Sequence, residues 1–406
     1  MDQSTFKVYS YRWVVLLAFM LAVAFNQLLW ITFAPITVNA AAYYGVTDLS
    51  IGLLSMSFMI AYLFVSIPAS WVIDTYGFRV AVGIGVVLTG VFGLMRGLVA
   101  ANYTLVLLAQ IGIAIGQPFI LNAVTKVAAR WFPLHERATA SGFGSLAMYL
   151  GILVGMLLTP YLTLQAGIAS MLLIYGVGAL VAGAVFLALA REAPPSPPAS
   201  AGQDERALMF DGLRQALRNR NFLLLMLIFF IGLGVFNSVT TWIEDIVRPR
   251  GFTITQAGLA GGLMIVGGIL GALILPALSD RYRRRVPFIL ISLLGATLGL
   301  VGVTFAPGNI LLMVSAFILG FSLLSAGPIG FQYGAEIARP TPEGTSNGLL
   351  LLMGQISGIA FIFGMDSFKV VATGSMTPSL VVMIGLMVVG LAVATRLHES
   401  DLLAAG

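Results

Sequence analysis

The stretch Asn26-Gln27-Leu28-Leu29-Trp30 sets an amide pair beside an indole. Amides hydrogen-bond a polar solute, and an indole face attracts a cation. The setting gives them meaning, because they lie inside an apolar run over 13–38. A bilayer crossing takes about 20 mostly apolar residues. Polar groups at mid-depth are costly and face a bundle interior or a water-filled cavity. Asn26 and Trp30 are four residues apart and share a helix face. Other apolar runs repeat the pattern. Gly116-Gln117-Pro118 places an amide beside a helix-breaking proline, with Asn122 one turn on; Asn237 follows Phe236; Gln355 lies between Gly354 and Gly358. A lone amide in a membrane helix serves equally to bond a neighbouring helix. Spread over four runs, Trp30, Gln117, Gln355, Asn237, Asn26, Phe236 and Asn122, with Phe33 and Met59, form the candidate substrate-binding set.

What is missing narrows the chemistry. No Asp or Glu stands at the centre of a run: Glu336 is near an inner end, and Glu244, Asp245 and Asp366 are near outer ends. Arg96 reads as an outer charge and Lys126 as an inner one. Proton-coupled carriers commonly use an intramembrane carboxylate. The expected cavity is therefore neutral, lined by amides and aromatic faces, and suited to a small neutral or cationic solute moving by facilitated diffusion. Proton-coupled export of metabolites or drugs is the alternative. There is no cysteine, and the two histidines, His135 and His398, fall in loop or tail positions. No metal or other cofactor is expected. No nucleophile–base pair suggests an enzyme.

The elements that carry these residues follow from composition. Of 406 residues, 59% are hydrophobic and 9% charged, where a soluble domain has about 25% charged. Twelve apolar runs are read, at 13–38, 49–73, 79–100, 103–130, 137–162, 166–190, 221–247, 254–279, 286–306, 309–338, 344–370 and 375–397. The first is too long for a signal peptide and is expected to be retained. With a cytoplasmic N-terminus, 17 of the 21 Lys and Arg fall inside and 4 outside. The positive-inside rule thus puts both termini in the cytoplasm of a plasma or inner membrane. It also accounts for the net charge of +5 without nucleic acid.

Residues 191–220 divide the chain. Pro194-Pro195-Ser196-Pro197-Pro198 opens an extended linker, and 206–218 alternates Leu208, Met209, Leu213 and Leu217 with Arg206, Arg214 and Arg218, the pattern of a short amphipathic helix on the cytoplasmic surface. On either side the chain repeats: Asp74 and Asp280 are 206 apart, Pro118 and Pro328 are 210 apart, and Glu136 and Glu343 are 207 apart. The expected fold is an all-α membrane protein of twelve transmembrane helices in two six-helix pseudo-symmetric halves, 1–190 and 221–406, the architecture of the major facilitator superfamily. In that design the substrate site is near the midplane and the halves rock by alternating access. The repeat offset sets Phe236-Asn237 to face Trp30 across the pseudo-twofold axis.

Each half also carries that superfamily's loop motif: Val72-Ile73-Asp74-Thr75-Tyr76-Gly77-Phe78-Arg79 and Leu278-Ser279-Asp280-Arg281-Tyr282-Arg283-Arg284-Arg285. A carboxylate at a helix end can bond the N-terminus or a basic residue of a neighbouring helix. Asp74, Gly77, Arg79, Arg130, Glu136, Asp280, Arg281, Arg284, Glu336, Arg339 and Glu343 are the candidate gating residues.

The sequence further resembles the heme and choline transporters related to the feline leukemia virus subgroup C receptor. The resemblance rests on Trp30-Ile31, Tyr44-Gly45-Val46-Thr47, Leu54-Ser55-Met56, Ala61-Tyr62, Pro68-Ala69-Ser70-Trp71 running into Asp74, Gln117 with Phe119-Ile120-Leu121, Trp131-Phe132, Gly330-Phe331 with Glu336-Ile337, and the block from Glu343 to Leu350 followed by Gln355. It covers residues from about 12 to 370. It implies a carrier for choline, ethanolamine or a related amine, with heme export the older proposal. It also implies a choline pocket made by a Trp on the first helix and Gln residues on the fourth and eleventh, which fall on Trp30, Gln117 and Gln355. The family's pocket Tyr on the seventh helix falls on Asn237, leaving Phe236, Phe33 or Phe58 to supply that aromatic wall. Heme fits poorly, since no Cys or His lies in an apolar run to hold iron. A non-transporting receptor is the least favoured reading. The expected partners are a small solute and the bilayer, around a monomer.

Overall fold

The structure, a computed structural model, describes residues 8–133, 136–196, 214, 216–339 and 343–399. Among these it is helical throughout, apart from an isolated bridge between Val370 and Ser375. Among the described residues, eleven helical spans are long and apolar enough to cross a membrane. The amphipathic stretch expected at 206–218 lies almost wholly outside the described residues.

The first run is broken. Helix α1 (Arg12–Ile31) ends before a 3-10 turn at Ala34–Ile36, and α2 (Thr37–Tyr44) carries the apolar passage beyond the expected end at 38. Pro35 has no N–H to give the carbonyl of Ile31, four residues back, which removes the hydrogen bond that would continue α1. Next come α3 (Asp48–Tyr76), α4 (Phe78–Leu98), α5 (Tyr103–Leu121) and α6 (Val124–Trp131). Asn102 starts α5 by accepting the Leu105 N–H at 3.1 Å, and Thr47 starts α3 by accepting from Ser50 at 3.2 Å.

The runs expected at 137–162 and 166–190 appear as one element, α7 (Arg137–Leu189), 53 residues long. At about 1.5 Å per residue this is roughly 80 Å of helix, far beyond a hydrocarbon core of about 30 Å. Gly167, at φ 79°, is non-helical and joins two helices there. A side chain would strain that left-handed backbone.

The rest of the chain gives α8 (Arg220–Thr241), α9 (Ile243–Val247), α10 (Ile254–Tyr282), α11 (Val286–Phe305), α12 (Asn309–Ile337), α13 (Glu343–Ser367) and α14 (Thr377–Ala394). Contacts group the chain into two compact units. One holds Met1–Phe33 with Asn39–Glu205, and the other holds Ala34–Val38 with Arg206–Gly406. In the first, α1 and α4 pack on α7. In the second, α10 and α11 pack on α12, and α8 packs on α13. Small residues let these backbones close up: a Cβ on Gly151 would strike the Ala24 carbonyl, and one on Gly320 the Met264 carbonyl.

Candidate functional site

The polar residues of the first unit divide by how their hydrogen bonds are used. Asn26 is fully buried and donates to Thr89 Oγ1 at 3.1 Å, and Gln27 donates to Asn26 Oδ1 at 3.4 Å. Asn122 accepts from the Tyr62 hydroxyl at 2.8 Å and donates to the Ser66 and Ser70 hydroxyls at 3.0 and 3.1 Å. Asn26 and Asn122 are thus engaged in joining helices, and Gln27 is engaged with Asn26. Trp30 is also buried, its indole N–H donating to the Ser55 carbonyl at 3.3 Å. The Gln117 amide, by contrast, is hydrogen-bonded to none of the described residues. Met59 and Phe33 are buried, and the Phe33 ring centroid lies 5.5 Å from the Arg96 guanidinium carbon.

Arg96 adds to the sequence reading. It stands in the last turn of α4 and is fully buried. It donates to the Leu29 carbonyl at 3.0 Å, to Gln110 Oε1 at 2.6 Å and to Thr32 Oγ1 at 3.3 Å. Gln110, which pattern reading passed over, donates to the Leu29 and Leu54 carbonyls, both at 3.3 Å. The available signal was an Arg in the last turn of one membrane helix with a Gln inside the next.

In the second unit, Phe236 is buried and Asn237 is half-buried. The Asn237 amide donates to the Gly354 carbonyl at 3.2 Å, just before Gln355. That bond ties α8 to α13 at the candidate site. Gln355 is half-buried and, like Gln117, makes no hydrogen bond among the described residues. Two carboxylates expected near outer ends, Glu244 and Asp245, are almost wholly buried. Glu244 accepts the Val38 N–H at 2.7 Å, and Asp245 pairs with Lys369 at 2.7 Å.

The ends of the helices show how the loop motifs are wired. Asp74 pairs with Lys126 at 3.1 Å, while Arg130 is exposed. Glu136 pairs with Arg12 at 3.2 Å. In the second unit the central cation is Arg285, whereas Arg281, Arg284 and Arg339 are exposed. Arg285 pairs with Asp280, bonds Ser279 Oγ at 3.2 Å and meets Glu336 Oε1 at 3.1 Å. Burial works against its charge, but Asp280 and Glu336 more than offset this and hold its pKa above the ordinary arginine value. The Glu343 side chain lies outside the described residues.

Two carboxylates without a place in the sequence reading cap helix starts. Glu192 accepts the Phe78 and Arg79 N–H groups at 3.3 and 2.8 Å. Glu399 accepts the Arg285 and Val286 N–H groups at 3.0 and 3.1 Å. An acid at a helix N-terminus satisfies orphan donors and the positive end of the dipole. The two glutamates are 207 residues apart, in register with the repeat. Gly77 makes room for the first: it has φ 88°, and a Cβ there would run into the Glu192 carboxylate.

Apolar helices with polar residues buried inside them and charge motifs at their ends define a multi-pass membrane transporter. The chain belongs to the major facilitator superfamily, whose model matches residues 15–362. It is 32% identical over 379 residues to solute carrier family 49 member A3 of Xenopus tropicalis, covering 89% of this chain and 78% of that protein. It is 31% identical over 374 residues to the choline/ethanolamine transporter FLVCR1 of Felis catus, covering 86% and 66%. A bacterial homologue of the human lysosomal transporter Spinster, solved inward-facing and unoccupied, shares the fold with TM-score 0.77 at 17% identity, covering 96% of this chain and 97% of that one.

Proposed function

We propose that this transporter moves a small polar or cationic solute of the choline or ethanolamine class, as a facilitative uniporter working by alternating access. In this reading twelve crossings form two six-helix halves, with both termini cytoplasmic, in a plasma or inner membrane. The observation that carries the substrate class is the contrast among the amides. Asn26, Gln27 and Asn122 are engaged with protein partners, whereas Gln117 and Gln355 make no hydrogen bond among the described residues. Unspent amide dipoles together with the Trp30 π-face suit a solute that carries a cation and a hydroxyl. The likeness to FLVCR1 and FLVCR2, named as choline/ethanolamine transporters, supports the same class. Asn237 is assigned to orient Gln355 through the Gly354 carbonyl.

The fate of the carboxylates favours uniport. Glu336 is held by Arg285, Asp245 by Lys369, and Glu244 by the Val38 N–H. A cation or a backbone donor favours the ionised form of the carboxylate it holds, which works against its use as a proton carrier. The decisive experiment uses purified protein in vesicles. Trp30→Ala is expected to abolish saturable choline or ethanolamine uptake while leaving membrane insertion intact, and uptake of unchanged affinity would sink the site assignment. Loss of wild-type uptake on adding a protonophore would favour the proton-coupled alternative.

A further inference from the structure

We infer that Arg96 is a positioning residue that clamps the broken first helix and thereby sets the Trp30 indole; its link to transport rests on the substrate role proposed for Trp30. The argument begins with electrostatics. Arg96 is fully buried, and its hydrogen-bond partners, Leu29, Thr32 and Gln110, are all neutral. An isolated buried cation is strongly unfavourable, so something must compensate it. Helix α1 stops at Ile31 with no basic residue in its own last turn. A helix C-terminus carries partial negative charge and exposed carbonyls. Arg96, reaching from α4, supplies the missing cation: it bonds the Leu29 carbonyl directly and the Thr32 hydroxyl, which itself donates to the Leu28 carbonyl at 2.9 Å.

The second step is geometric. Gln110 spans the Leu29 carbonyl of α1 and the Leu54 carbonyl of α3, and Arg96 holds the Gln110 oxygen. One residue further along both helices, the Trp30 indole bonds the Ser55 carbonyl. The consecutive pairs Leu29-Trp30 and Leu54-Ser55 are thus cross-linked twice, once through the Arg96-controlled amide and once through the indole. Phe33, just past the end of α1, is buried with its ring over the guanidinium. A lysine could keep the charge but not the planar fork that meets three acceptors together.

The test compares Arg96→Lys with wild type in two readouts. The first is the Trp30 fluorescence contribution, taken as the difference on adding Trp30→Phe in each background. The second is choline affinity from thermal shift. With the clamp loosened, Trp30 emission should red-shift and become more open to acrylamide, and choline affinity should fall about tenfold, roughly the worth of one charge-assisted hydrogen bond. Gln110→Glu serves as a second variant. It keeps the acceptor for Arg96 but removes the donor to Leu29 and Leu54, and should move Trp30 emission the same way even if Arg96→Lys does not fold. Native Trp30 emission in a folded variant of either kind overturns the clamp. Altered emission with unchanged choline affinity keeps the clamp and instead removes Trp30 from the substrate site.

Discussion

The ends of α3 and α10 share one backbone plan and differ in how it is held. In both, a glutamate 207 residues from its counterpart caps the start of the next helix: Glu192 on Phe78 and Arg79, Glu399 on Arg285 and Val286. Beside that shared cap the chemistry diverges. The first unit has Phe78, fully buried in a core with Phe19, Trp131 and Phe132, and Ala129 on the neighbouring helix. At the corresponding places the second unit has Arg285 and Glu336, each with 8% of its side chain exposed, joined in an ion pair and completed by Asp280. The comparison teaches that the cap is the structural constant of the repeat. The anchor beneath it can be apolar or ionic.

The largest expected effect comes from breaking the ionic anchor on one side only. Arg285→Ala leaves Glu336 buried without its cation, and removing one partner of a buried pair typically costs about 3–5 kcal/mol. A melting midpoint in detergent close to wild type would contradict the anchoring role. The comparison is sharpened by making the second unit imitate the first. Arg285→Phe with Glu336→Ala removes both charges and restores apolar volume, so it should recover much of that loss, because well-packed apolar replacements of buried ion pairs are often neutral. If the double variant melts no higher than Arg285→Ala, the two anchors are not interchangeable. Next in size are the caps. Glu192→Gln and Glu399→Gln each keep the shape but lose the charge, for about 1 kcal/mol apiece. Similar losses on both sides would fit a shared device, and a large asymmetry would not.

Much of this was legible in the sequence, for identifiable reasons. Apolar runs mark helices because lipid requires every backbone group to be satisfied within the segment. The repeat showed in Asp74 and Asp280 because both sit at helix ends, where a charged residue breaks an apolar pattern. The break at Pro35 inside the first run was not visible to run counting, which registers hydropathy and not backbone direction, whereas the two runs that meet near Gly167 were read apart. The burial of Arg96 was hidden for a related reason: position along a run gives depth, but not whether a side chain turns inward. Gln110 was passed over because one amide in an apolar helix carries no sign of its partner. Glu192 and Glu399 were passed over, since the N–H groups they cap belong to a helix more than 100 residues away in the chain. At the candidate site, residue types picked out Trp30, Gln117 and Gln355, but only coordinates could separate unspent amides from engaged ones such as Asn26.

The smallest effect belongs to the first unit's own ion pair, and its smallness is informative. Asp74 and Lys126 stand at 3.1 Å, but 72% of the Asp74 side chain is exposed. Water already solvates that carboxylate, so bringing it to the ammonium gains little and still orders two side chains. Exposed pairs are worth about 0–1 kcal/mol and weaken with salt. The place matching Lys126 in the second unit is Tyr333, which is buried and donates to the His398 carbonyl at 2.6 Å. The side that holds its helix start by apolar packing pairs Lys126 with a largely solvated Asp74, and the side that buries Arg285 against Glu336 uses the matching position to tie down the chain just before Glu399. Lys126→Met should therefore lower the melting midpoint barely at all, and raising salt from low to moderate strength should erase even that difference. A loss comparable to that of Arg285→Ala would mean the Asp74 pair bears load in the folded state. The contrast between an apolar and an ionic anchor would then have to be given up.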